Sequence, residues 1–488
     1  MANTPLRETV EEGLWPLVDH FLETQDAVGT AVAVVRDDEV VARGFGARDL
    51  RSGEPVTPET MFHLASVSKP FVATALVSLA LGKPIGSAGG PVLDLDAPIV
   101  DRVPELTLAD GRASEITARR LLSHTSGLPD VAAYGWHDPQ LGDDALADFA
   151  ASLSDWRLAA DPGSAYSYSN AGYELLGLVL SRVMGTTFED AVRRLVLAPL
   201  GMGQSTFLRS DVPTNDAAAP HVGLPQTVPG DRYPYTRRHA PSSTLHSNLV
   251  ELSRWVTAHF ATGDPAGRLD PELVAVMRQP VVEVSEPPWD GAASLGWPLG
   301  NYRGYPTMSH SGADPGFGSR VVLLPDQRTG IVVLANSNTV PASYIARAAI
   351  DLVLEDDPEG EGCLDLRNLR RPVAGPVADT LATEGPEAAA AAYRRLISAD
   401  PIEVDLEDDG FEDAVWGAIE LYRTDLVWPL LRLWTELQPE SSSAWTMTGW
   451  AHQVDGDPDQ ARHLLERALA LDPDNSDAAL IMSGLPPA

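Results

Sequence analysis

The stretch MFHLASVSKPF (residues 61–71) sets a serine, Ser66, three residues ahead of a lysine, Lys69. Of the 35 basic side chains in this 488-residue chain only two, Lys69 and Lys83, are lysines; the rest are arginine. An arginine keeps its proton at any accessible pH, whereas a lysine lowered by burial can lose it. On a helix, residues i and i+3 share a face, so the amine of an S-x-x-K can reach the hydroxyl and accept its proton during attack on an acyl carbon. The bare tetrapeptide also fits a serine at a helix start followed by a solvated lysine. The scarcity of lysine in this chain favours the chemical reading.

Two further stretches carry chemistry. PGSAYSYSNAGYELLG (162–177) holds Tyr168-Ser169-Asn170 in a loop just before a helix, and MSHSGADPGFGSRVV (308–322) holds His310-Ser311-Gly312 at the end of a strand. Taken singly, Tyr168 reads as a packed aromatic, Asn170 as a helix N-cap and His310 as a surface strand residue. Together and in this order, S-x-x-K, Y-x-N and H-x-G resemble the motifs of the serine β-lactamase and penicillin-binding-protein family, in its class C-like branch of esterases, D-aminopeptidases and acyl transferases. ITARRLLSHTSGLPD (116–130) and VVLLPDQRTGIVVLANS (321–337) extend the resemblance, which covers about residues 8–356.

The resemblance implies an α/β fold: a mainly antiparallel sheet flanked by helices, beside a helical lobe. It implies Ser66 as the acylated nucleophile, Lys69 as the group that deprotonates or orients it, and Tyr168 as general base and acid. Asn170 would hold the substrate's amide or acyl side chain. Ser311, Gly312 and Ala313 would line the substrate strand, with the backbone N–H groups of Ser66 and Ala313 as the oxyanion hole. β-Lactamases of this branch usually carry Lys where this chain has His310. A histidine can stay neutral at physiological pH, so His310 is expected to support Tyr168 or a leaving group, and esters are expected as substrates ahead of β-lactams.

The rest of the sequence frames this domain. VGTAVAVV (28–35) and EVVARGFG (39–46) flank the polar turn Arg36-Asp37-Asp38 and read as a hairpin; YPTMSH, SRVVLLP and GIVVLANS read as three strands near 305–337, with the helix ASYIARAAIDLVLE after them. The region 69–270 between them reads as mostly helical. The expected domains are residues 1–357 for the hydrolase, 358–380 for a charged, Pro/Gly-rich linker and 381–488 for an all-α, tetratricopeptide-like domain. In the last, Trp445, Gly449, Ala461, Ala468 and Pro473 have the spacing of one 34-residue repeat. DLVWPLLRLWTELQP (425–439) and EAAAAAYRRLISADP (387–401) read as second helices of earlier repeats. So few repeats are expected to pack on the hydrolase domain, a second copy of the chain or a protein partner.

A net charge of −34 argues against nucleic acid and acidic membranes as partners. The N-terminus reads as an amphipathic helix and not as a signal peptide, and the most apolar run (71–82) is too short to span a bilayer, so a cytoplasmic protein is expected. One cysteine, Cys363, excludes an intrachain disulfide framework. No G-x-S-x-G, Walker A or H-E-x-x-H motif occurs, and neither a metal nor another cofactor is expected. The resulting expectation is a serine acyl hydrolase acting through acyl-Ser66 on a small intracellular ester or amide. An acyl transferase or peptide cyclase using the same acyl-enzyme is the alternative. A non-catalytic scaffold built on the repeats is the reading from another class.

Overall fold

GTAVAVVR and TGIVVLA are continuous apolar runs, the pattern of strands covered on both faces, and they form the centre of a large sheet. The computed structural model describes residues 5–25, 27–85, 90–131, 134–222, 226–227, 233–260, 267–284, 291–337, 340–354, 362–399, 404–406, 409–420 and 423–485. Among these, nine strands make one antiparallel sheet: β1 (Gly29–Arg36), β2 (Glu39–Asp49), β3 (Glu54–Pro55), β4 (Val282–Val284), β5 (Gly291–Ala293), β6 (Pro298–Tyr302), β7 (Tyr305–Asp314), β8 (Phe317–Leu324) and β9 (Thr329–Ala335). Their order across the sheet is β3-β2-β1-β9-β8-β7-β6-β5-β4, so the N-terminal hairpin pairs directly with the last strand, Thr30 opposite Ala335 and Arg36 opposite Thr329.

Side chains alternate between faces along a strand. Ala31, Ala33 and Val35 join Val332 and Leu334 in the main core with the helical lobe. The helix Leu249–Ala258 covers that face, so close that a Cβ on Gly330 would stand 2.3 Å from Val256 Cγ1. The N-terminal helical segment (6–24) buries Val10, Leu14, Val18 and Phe21. It packs on the helix Ala342–Leu354, where Gly13 leaves room for Leu352.

The expected hairpin and the three later strands are present, with Asp37 at φ +56° in the turn. The short strands β4–β6 were not anticipated. They are only three to five residues long and partly exposed, and they form the edge of the sheet beyond β7, where burial no longer imposes an alternating pattern.

The chain divides into two compact units, which are described separately. The first runs to Arg367; the second comprises residues from Asn368 onward together with the short stretches 23–26 and 221–226. The helix Ala374–Glu384 begins inside the stretch 358–380 read as linker, and Val373, Val377 and Leu381 are buried in the core of the second unit with Phe411 and Trp434. A Pro/Gly-rich opening hid this helix, whose only apolar signal is a short Val/Leu face. Residues 358–361 of that linker, and Pro401, lie outside the described residues. Helices Pro386–Ile397 and Thr424–Leu437 occur where second helices of repeats were expected, and Ser442–Val454 with Pro458–Leu471 form the last pair. In this pair Gly449 lets the helices close, a Cβ there standing 2.9 Å from Leu465 Cγ.

Candidate active site

Ser66 does not lie within the long helix but on the 3-10 turn Ala65–Val67 that feeds helix Ser68–Ala80. Ala65 adopts φ +47°. A residue with a Cβ holds such a conformation only where the surroundings impose it, at a cost on the order of 1–3 kcal/mol. The turn leaves Ser66 half-buried at the wall of a cavity of about 470 Å³, lined also by Tyr166, Tyr168, Leu299 and the β7 residues Ser309 to Ala313.

Lys69 is completely buried behind Ser66. Its Nζ lies 2.9 Å from Ser66 Oγ, 2.6 Å from Asn170 Oδ1 and 3.0 Å from the carbonyl of Ser242. Burial lowers its pKa from 10.5 to about 8, opposed by the nearby carboxylates of Glu174, Asp314 and Asp130. Two of its three partners, the amide oxygen and the carbonyl, can only accept. In the neutral amine they take the two N–H groups, which leaves the lone pair facing the Ser66 hydroxyl.

Tyr168 donates its hydroxyl to Ser66 Oγ at 3.0 Å. Burial raises its pKa above the ordinary phenol value, so it is a phenol and not a phenolate near neutrality. His124, within LLSHTSGL, stacks on it with ring centroids 4.4 Å apart and accepts the Ser169 N–H on Nδ1 at 3.1 Å.

Asn170 opens the helix Asn170–Met184, and the N-cap is its neighbour Ser169, which accepts the Gly172 N–H. Asp130 takes the Asn170 backbone N–H at 2.6 Å and its Nδ2 at 2.8 Å. That pair of bonds fixes the amide so that Oδ1 must face Lys69. Asn170 therefore stands between Lys69 and Asp130, behind the cavity wall.

His310 is in the middle of β7 and not at its end, opposite Val321 on β8, and it is buried, contrary to the surface reading. Its Nδ1 contacts the Ser311 carbonyl at 2.7 Å, and no hydrogen bond joins it to Tyr168 among the described residues. Burial lowers its pKa to about 3, aided by the Lys69 charge, so it is neutral across the physiological range. Ser311 and Ala313 are exposed to the cavity. Gly312 is forced by close approach: a Cβ there would stand 2.3 Å from Leu64 O and 2.8 Å from Ser66 N.

The sequence reading gave no role at the site to Asp130, His124 or Glu174. Asp130 and His124 lie in a quoted stretch whose only visible signal was likeness to relatives. Glu174, four residues after Asn170, is buried and accepts the Ser242 hydroxyl at 2.6 Å, with His239 at 3.1 Å.

A sequence model described as Beta-lactamase matches residues 16–355, well over half of the chain. The chain belongs to the beta-lactamase family. Members of this family are serine acyl hydrolases, among them penicillin-binding proteins, D-amino acid amidase and beta-lactamases. A tetratricopeptide repeat model matches residues 442–475. Penicillin-binding protein 4 of Amycolatopsis lactamdurans is 29% identical over 67% of this chain and 87% of its own length. Protein flp of Staphylococcus aureus (strain MW2) is 25% identical over 66% of this chain, a match spanning only 62% of flp. Among solved structures, the octameric penicillin-binding protein homologue from Pyrococcus abyssi superposes with a TM-score of 0.61 at 26% identity, over 72% of this chain and 79% of that one. SurE, solved with D-Leu, gives a TM-score of 0.56 at 25% identity, over 74% of this chain and 77% of that one. Among the described residues no helix is long and apolar enough to cross a membrane.

Proposed function

We propose that this beta-lactamase-family chain hydrolyses a small intracellular ester or amide through an acyl-Ser66 intermediate. The observation that carries the reading is the convergence of Lys69 Nζ and Tyr168 OH on Ser66 Oγ, at 2.9 and 3.0 Å. In this mechanism neutral Lys69 takes the Ser66 proton as Oγ bonds to the acyl carbon. The carbonyl oxygen gains negative charge and is met by the amides of Ser66 and Ala313. As the tetrahedral intermediate collapses, the bond to the leaving alcohol or amine breaks. Tyr168 gives that group its proton and is reprotonated from the Lys69 ammonium. Water repeats the sequence on the acyl-enzyme, freeing the acid and restoring Ser66.

Its burial makes Tyr168 a proton donor and relay, and leaves Lys69 as the initial base. Neutral His310 offers no fixed charge for a β-lactam carboxylate, which supports uncharged esters and amides as substrates. Because SurE was solved with D-Leu, D-amino-acid esters and amides belong in the panel. Kinetics on short-chain p-nitrophenyl esters, D-amino-acid amides and nitrocefin test the reading. Turnover of esters or amides that vanishes in Ser66→Ala supports it, and turnover unchanged in Ser66→Ala refutes it. For the helical unit we propose contact with a second copy of the chain or another protein, given its repeat and the octameric relative. Light scattering on the full chain reads this directly.

A further inference from the structure

Outside the three motifs, one buried hydrogen bond joins the two halves of the oxyanion hole invoked above, and the inference rests on that reading. His63 lies three residues before Ser66, and Asp314 directly follows Ala313. His63 Nε2 and Asp314 Oδ2 are 2.7 Å apart, and both side chains are buried. His63 Nδ1 has no partner among the described residues. The single proton of a neutral ring is therefore best placed on Nε2, donated to the carboxylate. Asp314 also accepts from Ser243, next to the Ser242 carbonyl that holds Lys69. Phe317, His246 and Tyr233 pack around the imidazole with centroids 5.4, 5.1 and 6.3 Å away, which leaves the ring little freedom. A second tie runs parallel: Ser319 on β8 donates to the Leu64 carbonyl at 2.6 Å.

We propose that the His63–Asp314 hydrogen bond is a positioning device that sets the spacing between the Ser66 and Ala313 amides. Neither residue lines the cavity or touches Ser66, so each acts through the backbone it anchors. The pair links the two-residue strand Phe62–His63, just before the nucleophile turn, to the end of β7. With it broken, these two segments can separate at the point where the developing oxyanion must meet both donors. Misplacing a donor by a fraction of an ångström costs transition-state binding while leaving ground-state binding nearly intact.

The test compares His63→Phe, which keeps a ring in the aromatic pocket but loses the donor, with His63→Gln, whose amide N–H can replace Nε2–H. Both are assayed in the full chain with p-nitrophenyl acetate and with phenylboronic acid, whose tetrahedral adduct places an oxygen in the hole. His63→Phe is expected to lower the acylation kcat by roughly tenfold to a hundredfold. Its KM should change less than about threefold, and phenylboronic acid affinity should fall in step with kcat. His63→Gln should recover most of both. Asp314→Leu and Asp314→Asn give the same contrast from the other side should a His63 variant fail to fold. Wild-type acylation and boronate affinity in a folded His63→Phe would overturn the proposal, as would a Gln variant as slow as Phe. Neither result touches the acyl-Ser66 reading, which fails instead if the wild-type chain is not acylated at Ser66.

Discussion

If neutral Lys69 takes the Ser66 proton, acylation must follow its titration. Burial brings it from 10.5 to about 8, which corresponds to about 3 kcal/mol in favour of the uncharged amine. The sign is fixed by the role: the base works only without its proton, so the rate rises with pH through about 8 and then levels. With that midpoint, roughly 1% of the enzyme holds a neutral amine at pH 6, about 10% at pH 7 and about half at pH 8. The burst rate with an activated ester should therefore climb by nearly two orders of magnitude between pH 6 and 9. Lys69→Arg removes the titration, because a guanidinium keeps its proton. It should fold, as circular dichroism and melting report, but lose at least about a hundredfold in burst rate, the usual scale of general-base catalysis. A wild-type burst rate flat from pH 6 to 9, or a Lys69→Arg burst within a few-fold of wild type, would refute the assignment.

Other predictions follow from single contacts. Gly312→Ala drives a Cβ to 2.3 Å from the Leu64 carbonyl, so we expect acylation to fall at least about a hundredfold through displaced oxyanion donors, read by the same burst assay. Asp130→Ala frees the Asn170 amide and takes away the acceptor of the first N–H of its helix, and should lower the melting temperature by a few degrees together with the burst amplitude. His124→Ala removes the ring stacked on Tyr168 and should slow acylation more than it lowers thermal stability, as parallel kinetics and calorimetry would show. Wild-type enzyme should hydrolyse p-nitrophenyl acetate with a kcat/KM far above that for nitrocefin, and His310→Lys should narrow the gap.

The long, alternating or fully apolar stretches were legible because burial dictates their composition: β1, β2, β7, β8 and β9 each sit where the sequence indicates. Strands β4–β6 were not, since strands this short and partly exposed at a sheet edge place few demands on residue type. At the site, the motif residues could be identified but not their packing. The sequence alone gave no reason to bury His310, and only the structure shows Asn170 oriented by Asp130, more than thirty residues away along the chain. Asp130, Glu174 and the His63–Asp314 pair act across such separations, where no periodicity marks them. The helix at Ala374–Glu384 shows the same limit in reverse: a Pro/Gly-rich opening looked like linker, and only tertiary burial of Val377 and Leu381 reveals its core role.

The most direct measurement is the mass of the full chain, quenched in acid within seconds of mixing with p-nitrophenyl acetate, followed by peptide mapping. The account predicts one added acetyl group on the peptide containing Ser66, absent from Ser66→Ala and accumulating more slowly in Lys69→Arg. Ester hydrolysis without any acetylated peptide, or an acetyl group on another residue that persists in Ser66→Ala, would contradict it.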